Sequence, residues 1–258
     1  MGSSLRCNDK IKKPMQIKIF KSPLPYAETH AKMEQLVADI ISGKEEEQIW
    51  FLESEPVYTA GTSARPEDVI SDEFPVVTVG RGGKHTYHGP GQRVIYLMLE
   101  LKKHYPTPDI KKFVSDLENW VIDSLAELGI KAFRREGRVG IWVNAPTLPT
   151  PHPNPLPQGA REPSGEASAI TPSPLRGEGW SEGEAAEAKI AAIGIRVRKG
   201  ISFHGISINI NPNLAHFNGI VPCGIAEFGV TSLHAMNHKL SMSAFDEILI
   251  KHCPFLKA

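Results

Sequence analysis

Cysteine is scarce in this chain. Three occur in 258 residues, Cys7, Cys223 and Cys253, odd in number and widely spaced. There is no Cys-x-x-Cys pair, which argues against a ribbon or finger zinc site. A disulfide framework is not expected either, in keeping with a reducing compartment. Net charge is lacking as well: Lys plus Arg and Asp plus Glu both number 29, and no long block of one sign appears. Nucleic-acid binders need a basic face, so no nucleic-acid partner is expected. Long apolar runs are also missing, and none approaches the ~20 residues of a membrane span. The segment Met1–Arg6 lacks the apolar core of a secretory signal, and Arg6 stands where a myristoylation pattern wants Ser or Thr. The expectation is a cytoplasmic protein with no membrane partner.

Apolar residues make up 41% of the chain, enough for a sizeable core. Helices are expected over Tyr26–Ile41, where Met33, Leu36, Val37 and Ile40 recur at helical spacing, and from Asp109 to Leu128. Asp109 is the expected N-cap of the latter and Gly129 its stop. A last helix is expected over Ser243–His252. Strands are expected at Met15–Phe20, Gln48–Leu52, Val76–Val79, Arg93–Leu101, Ile130–Arg134, Arg138–Val143, Ile190–Arg198 and Gly205–Ile210. Strands and helices mix without regular alternation, so the fold class expected is α+β, a mixed sheet flanked by helices.

Residues 1–14 are polar and Lys-rich, and read as a loose arm. From Asn144 to about Glu187 Pro, Gly, Ser and Glu dominate, and nine of the 21 prolines lie between Pro146 and Pro174. Such a stretch buries too little to offset its ordering entropy. It reads as a disordered insertion within one domain spanning 15–258, with a partner-docking arm as the alternative.

Polar chemistry concentrates in Gly80–Gly91, which has five glycines, Arg81, Lys84, His85, His88, Tyr87 and Thr86. Thr78 stands where a phosphate-binding P-loop needs its first Gly, and His85 follows Lys84 where Ser or Thr is required, so that reading fails. His85 with His88, and His234 with His238, bring no clear third metal ligand. The remaining choice is between a ligand-facing loop and a hairpin whose side chains cap its own backbone. Cys223, between Pro222 and Gly224, is either a small buried residue or a nucleophile. Lys189, the one charge in Ala188–Gly194, is either a strand-edge lysine reaching solvent or a cation held against a reactive group.

Taken together, RGGKHTYHGPGQ at 81–92, KIAAIGIRV at 189–197, HGISIN at 204–209 and VPCGI at 221–225 resemble the octanoyltransferase (lipoate–protein ligase B) family. The upstream EPVYTAG at 55–61 also fits. The resemblance implies a single catalytic domain like those of biotin and lipoate ligases. It implies transfer of an octanoyl group from octanoyl-acyl carrier protein to a lysine of lipoyl domains, those of 2-oxoacid dehydrogenase complexes and the glycine cleavage H protein. It places the thiol nucleophile at Cys223 and its partner at Lys189. Substrate contacts carry over to Arg81, Gly82, Gly83, Lys84, His85, Thr86, Tyr87 and His88, to Ala192, Ile193 and Gly194, and to Gly205, Ile206 and Ser207. Lys84, His85 and Ser207 depart from the usual family residues, and the insertion is not part of the usual pattern. No cofactor or metal is implied. Oxyanion donors are sought among the amides near Gly82–Gly83 and at Gly224, and Ala192 and Gly194 are expected to leave room for the acyl chain. Two alternatives stand beside this reading, an ATP-dependent lipoate or biotin ligase of the same fold and a non-catalytic lipoyl-domain or carrier-binding module.

Overall fold

The computed structural model describes residues 15–145, 186–221 and 229–256. The expected arm at 1–14, most of the expected insertion and Cys223 itself lie outside the described residues.

Eleven strands and four α-helices are described: β1 (Gln16–Ile19), α1 (Tyr26–Ile41), β2 (Gln48–Leu52), β3 (Val57–Ala60), β4 (Val76–Thr78), β5 (His85–His88), β6 (Gln92–Met98), α2 (Leu101–His104), α3 (Ile110–Glu127), β7 (Ala132–Arg135), β8 (Arg138–Ala145), β9 (Ala186–Arg198), β10 (Ile201–Asn209), β11 (Gly229–Val230) and α4 (Met242–His252). The main sheet runs β1-β2-β6-β10-β9-β8-β7, with β11 paired to β9. Its pairings are antiparallel except β1–β2 and β11–β9. A small second sheet runs β4-β3-β5. The α+β expectation holds.

Helices cover both faces of the main sheet, which explains the apolar runs Ile49–Leu52 in β2 and Val94–Met98 in β6. On one face Met33 and Val37 of α1 pack with Trp50, Val94, Tyr96 and Phe203. On the other, Phe113, Leu117 and Trp120 of α3 and Phe245 and Leu249 of α4 pack with Ile49, Phe51, Ile95 and Leu97. Alternate residues of each strand thus serve opposite cores. One charged pair crosses this interior: Arg93 donates to both carboxylate oxygens of Asp246, each at 2.8 Å.

The expected helix boundaries hold closely, and the Asp109 carboxylate caps α3 by accepting from the amides of Lys111 and Lys112. Several strand readings change. β3 and β11 were not expected. His85–His88 is a strand of the small sheet, where its polar side chains mask the β pattern. β10 begins at Ile201, four residues early, because Ser202 and His204 interrupt the apolar pattern yet are buried. The strand expected to reach Leu101 ends at Met98, and Leu101 opens α2. The outer residues expected in the insertion are also laddered, Asn144 opposite Glu187 and Ala145 opposite Ala186.

Candidate active site

A cavity of about 630 Å³ opens between the glycine-rich segment and the β8-β9-β10 part of the sheet. Of the expected substrate contacts, Arg81, Gly82, Gly83, Lys84, His85, Thr86, His88, Ala192, Ile193, Gly194, Gly205, Ile206 and Ser207 all line it, and so does Lys189. Tyr87 does not. Its ring turns to the far side of β5, against Tyr58, Phe74 and Phe217, and its hydroxyl meets His216 Nδ1 at 2.8 Å. Strand alternation separates it from Thr86 and His88, and it packs in a buried aromatic cluster.

Lys189 is buried, 9% exposed, which excludes the solvent-reaching reading. It lies mid-strand, opposite Trp142 of β8 on one side and Val230 of β11 on the other. Its ammonium stands 5.2 Å from the centre of the Trp142 ring, a favourable cation–π placement. The Lys189 carbonyl accepts from the amide of Thr231 at 3.0 Å.

The segment carrying Cys223 is fastened on both sides of the undescribed residues. Before it, the amide of Val221 donates to the carbonyl of Asp68 at 2.7 Å, and the amides of Ile70 and Ser71 donate to the carbonyl of Gly219. After it, Gly229 and Val230 join β9 opposite Ala188 and Lys189. Cys223 lies two positions after Val221 and seven before Val230.

Arg81 braces the glycine-rich wall. Its guanidinium donates to the carbonyls of Thr59, Gly82 and Lys84 and to the Thr59 hydroxyl, at 2.7–3.0 Å. Two expectations are narrowed here. The amide of Gly82 donates to the carbonyl of Ile195 at 3.2 Å, so it is engaged and not an oxyanion donor. The space beside Gly194 is taken as well, because a Cβ there would lie 3.0 Å from Arg81 Cδ. The bare Cα of Gly194 thus gives room to the Arg81 stem at the cavity wall. Gly83, at φ +86°, takes the left-handed turn that glycine permits. Gly224 lies outside the described residues.

The far side of the cavity is polar but uncharged. His88 Nδ1 meets Gln92 Oε1 at 2.6 Å, Gln92 Nε2 donates to Asn209 Oδ1 at 2.9 Å, and Asn209 Nδ2 donates to the Thr231 carbonyl at 3.0 Å. Burial pushes the His88 imidazole down to about 4, against the opposing Gln92 contact. Burial, reinforced by the charges of His30 and Arg81, holds His204 at about 3. Both are neutral near pH 7. Tyr26 and Tyr96 complete this wall, and burial raises both phenols. Sequence reasoning did not single out Tyr26, Gln92, Tyr96 or Asn209. Gln92 and Asn209 sit inside the motifs TYHGPGQ and HGISIN, which were the available signal.

Residues 25–254 match the family model for the lipoyl protein ligase A/B catalytic domain. An octanoyltransferase of Cereibacter sphaeroides is 47% identical over 231 residues, covering 89% of this chain and 92% of its own. The chain belongs to the octanoyltransferase family. The enzyme is thus an acyltransferase. A second relative, the octanoyltransferase of Zymomonas mobilis, is 45% identical over 89% of this chain and 88% of its own. Among solved structures, the enzyme is similar in fold to a putative lipoate protein ligase of Thermoplasma acidophilum with bound lipoic acid, at TM-score 0.58 and 12% identity, covering 93% of this chain and 84% of that one. A lipoate-protein ligase A bound with ATP gives TM-score 0.55 at 14% identity, covering 92% and 84%. These likenesses establish the catalytic-domain fold of lipoate ligases.

Proposed function

We propose that the enzyme moves an octanoyl group from octanoyl-acyl carrier protein to a lysine of lipoyl domains, through a thioester on Cys223, with Lys189 as the proton-handling partner. The observation that carries this reading is the placement of Lys189. Its ammonium is buried in the cavity wall, on the strand that ladders with the residues following Cys223.

A thiolate, not a thiol, attacks a thioester, and an unperturbed cysteine with a pKa of about 8.5 is only a few per cent ionised near pH 7. A nearby ammonium stabilises the thiolate. Cys223 Sγ attacks the acyl carbon, the carrier's sulfur leaves, and that sulfur takes up a proton. The acceptor's amine then attacks the same carbon, gives up a proton, and expels the Cys223 thiolate. An amide replaces a thioester, so no ATP is needed.

Transfer assays separate this reading from the ligase alternative. Octanoyl-carrier protein without ATP supports octanoylation of a lipoyl domain, and Cys223→Ser abolishes it. Dependence on free octanoate plus ATP, with Cys223→Ser still active, would establish the ligase instead. Binding of carrier or lipoyl domain with no turnover at all would leave only the binding-module reading.

A further inference from the structure

The ladder between β8 and β9 carries a register shift beside Lys189. Ile141 faces Ala191, whereas Trp142 faces Lys189, so Ile190 is an extra residue on β9. Such bulges re-aim a neighbouring side chain. Gly140 stands at this point with φ +129°, a backbone conformation that side-chain-bearing residues rarely adopt. A Cβ there would lie 2.5 Å from Lys189 Cε, 3.1 Å from its Nζ and 2.7 Å from the carbonyl oxygen of Ala191. The Lys189 stem therefore crosses the bare Cα of Gly140. The amide of Gly140 is in turn tied at 3.3 Å to the Glu118 carboxylate of α3. Glu118 is buried, and its other oxygen pairs with Arg134 at 2.8 Å.

We propose that Gly140 and Glu118 are positioning residues for the Lys189 ammonium: Gly140 leaves the slot through which the side chain reaches the cavity, and Glu118 pins the floor of that slot to α3. The slot itself is independent of the chemistry, while its consequence for transfer rests on the role proposed for Lys189. Displacing a reacting group by ~1 Å costs on the order of 100-fold in rate.

The test uses the full chain labelled with ¹³C-lysine, with the Lys189 ε-resonance assigned by its loss in Lys189→Arg. The Trp142 ring current marks that resonance. Glu118→Ala, and Gly140→Ala if it folds, should move the signal and lower kcat by about 100-fold with KM little changed. Glu118→Gln, which keeps an oxygen acceptor for the Gly140 amide, should leave it in place. An unmoved signal in Glu118→Ala overturns the proposal, as does an equal displacement in Glu118→Gln and Glu118→Ala. A moved signal with undiminished transfer upholds the slot and overturns the catalytic reading of Lys189.

Discussion

Val230 is the Cα partner of Lys189 in the parallel β11–β9 ladder, so the chain leaving the Cys223 segment runs directly beside the buried lysine. Gly229 and Val230 are thereby paired with Ala188 and Lys189, some forty residues earlier in the sequence.

Replacing Lys189 by Met keeps the stem and removes the charge. Transfer falls by roughly 10²–10⁴-fold, the range for losing a positioned acid–base group. The pH dependence of Cys223 alkylation by iodoacetamide moves to higher pH in the same variant. Unchanged transfer would remove Lys189 from the mechanism.

Stability depends on pH through His88 and His204. Their folded pKa values, about 4 and about 3, lie below the unfolded value of about 6.5. Below that value the unfolded chain binds more protons than the fold does. Stability is therefore full above about pH 7 and falls as pH drops from about 6.5 toward 4, by up to ~1.4 kcal/mol per pH unit per histidine. Urea midpoints measured from pH 8 to 5 check this, and the slope becomes shallower in His204→Asn.

The Arg93–Asp246 pair joins the sheet to α4 in the interior, with both side chains at most 6% exposed. Asp246→Ala leaves the guanidinium buried without its carboxylate and destabilises by about 3–5 kcal/mol. Denaturant unfolding measures this, and a loss below about 1 kcal/mol would mean that water reaches Arg93.

The apolar grammar of the chain was legible in its sequence; its polar strands were not. Helix α1 was readable because Met33, Leu36, Val37 and Ile40 mark one face, and α3 because Asp109 and Gly129 punctuate it. β5 was not readable, since His85, Thr86 and His88 face a cavity rather than a core. The motifs around the site gave every expected substrate contact in the lining except Tyr87, which packs into a buried aromatic cluster, but not Tyr26, Tyr96, Arg138 or Val139, which come from outside them. Gly140 carried no legible signal: its importance comes from Lys189, a neighbour across a bulged ladder, and no local pattern encodes that contact. The engaged Gly82 amide and the filled space beside Gly194 were equally invisible, because both depend on where Arg81 and Ile195 come to lie.

Ala145 and Ala186 are opposed in the antiparallel β8–β9 ladder, a geometry that a two-residue turn can close. Replacing 146–185 by Asn-Gly should preserve fold and transfer, as expected of an insertion within one domain. Loss of transfer with the fold intact, seen by circular dichroism and activity together, would instead assign the segment to substrate binding.

The central claim is that the acyl group rests on Cys223. Intact-mass and peptide spectrometry after brief mixing with octanoyl-acyl carrier protein, without acceptor, test it most directly. The account predicts one octanoyl group on Cys223, released by hydroxylamine and transferred when a lipoyl domain is added. An active enzyme whose Cys223 stays unmodified throughout turnover would contradict it.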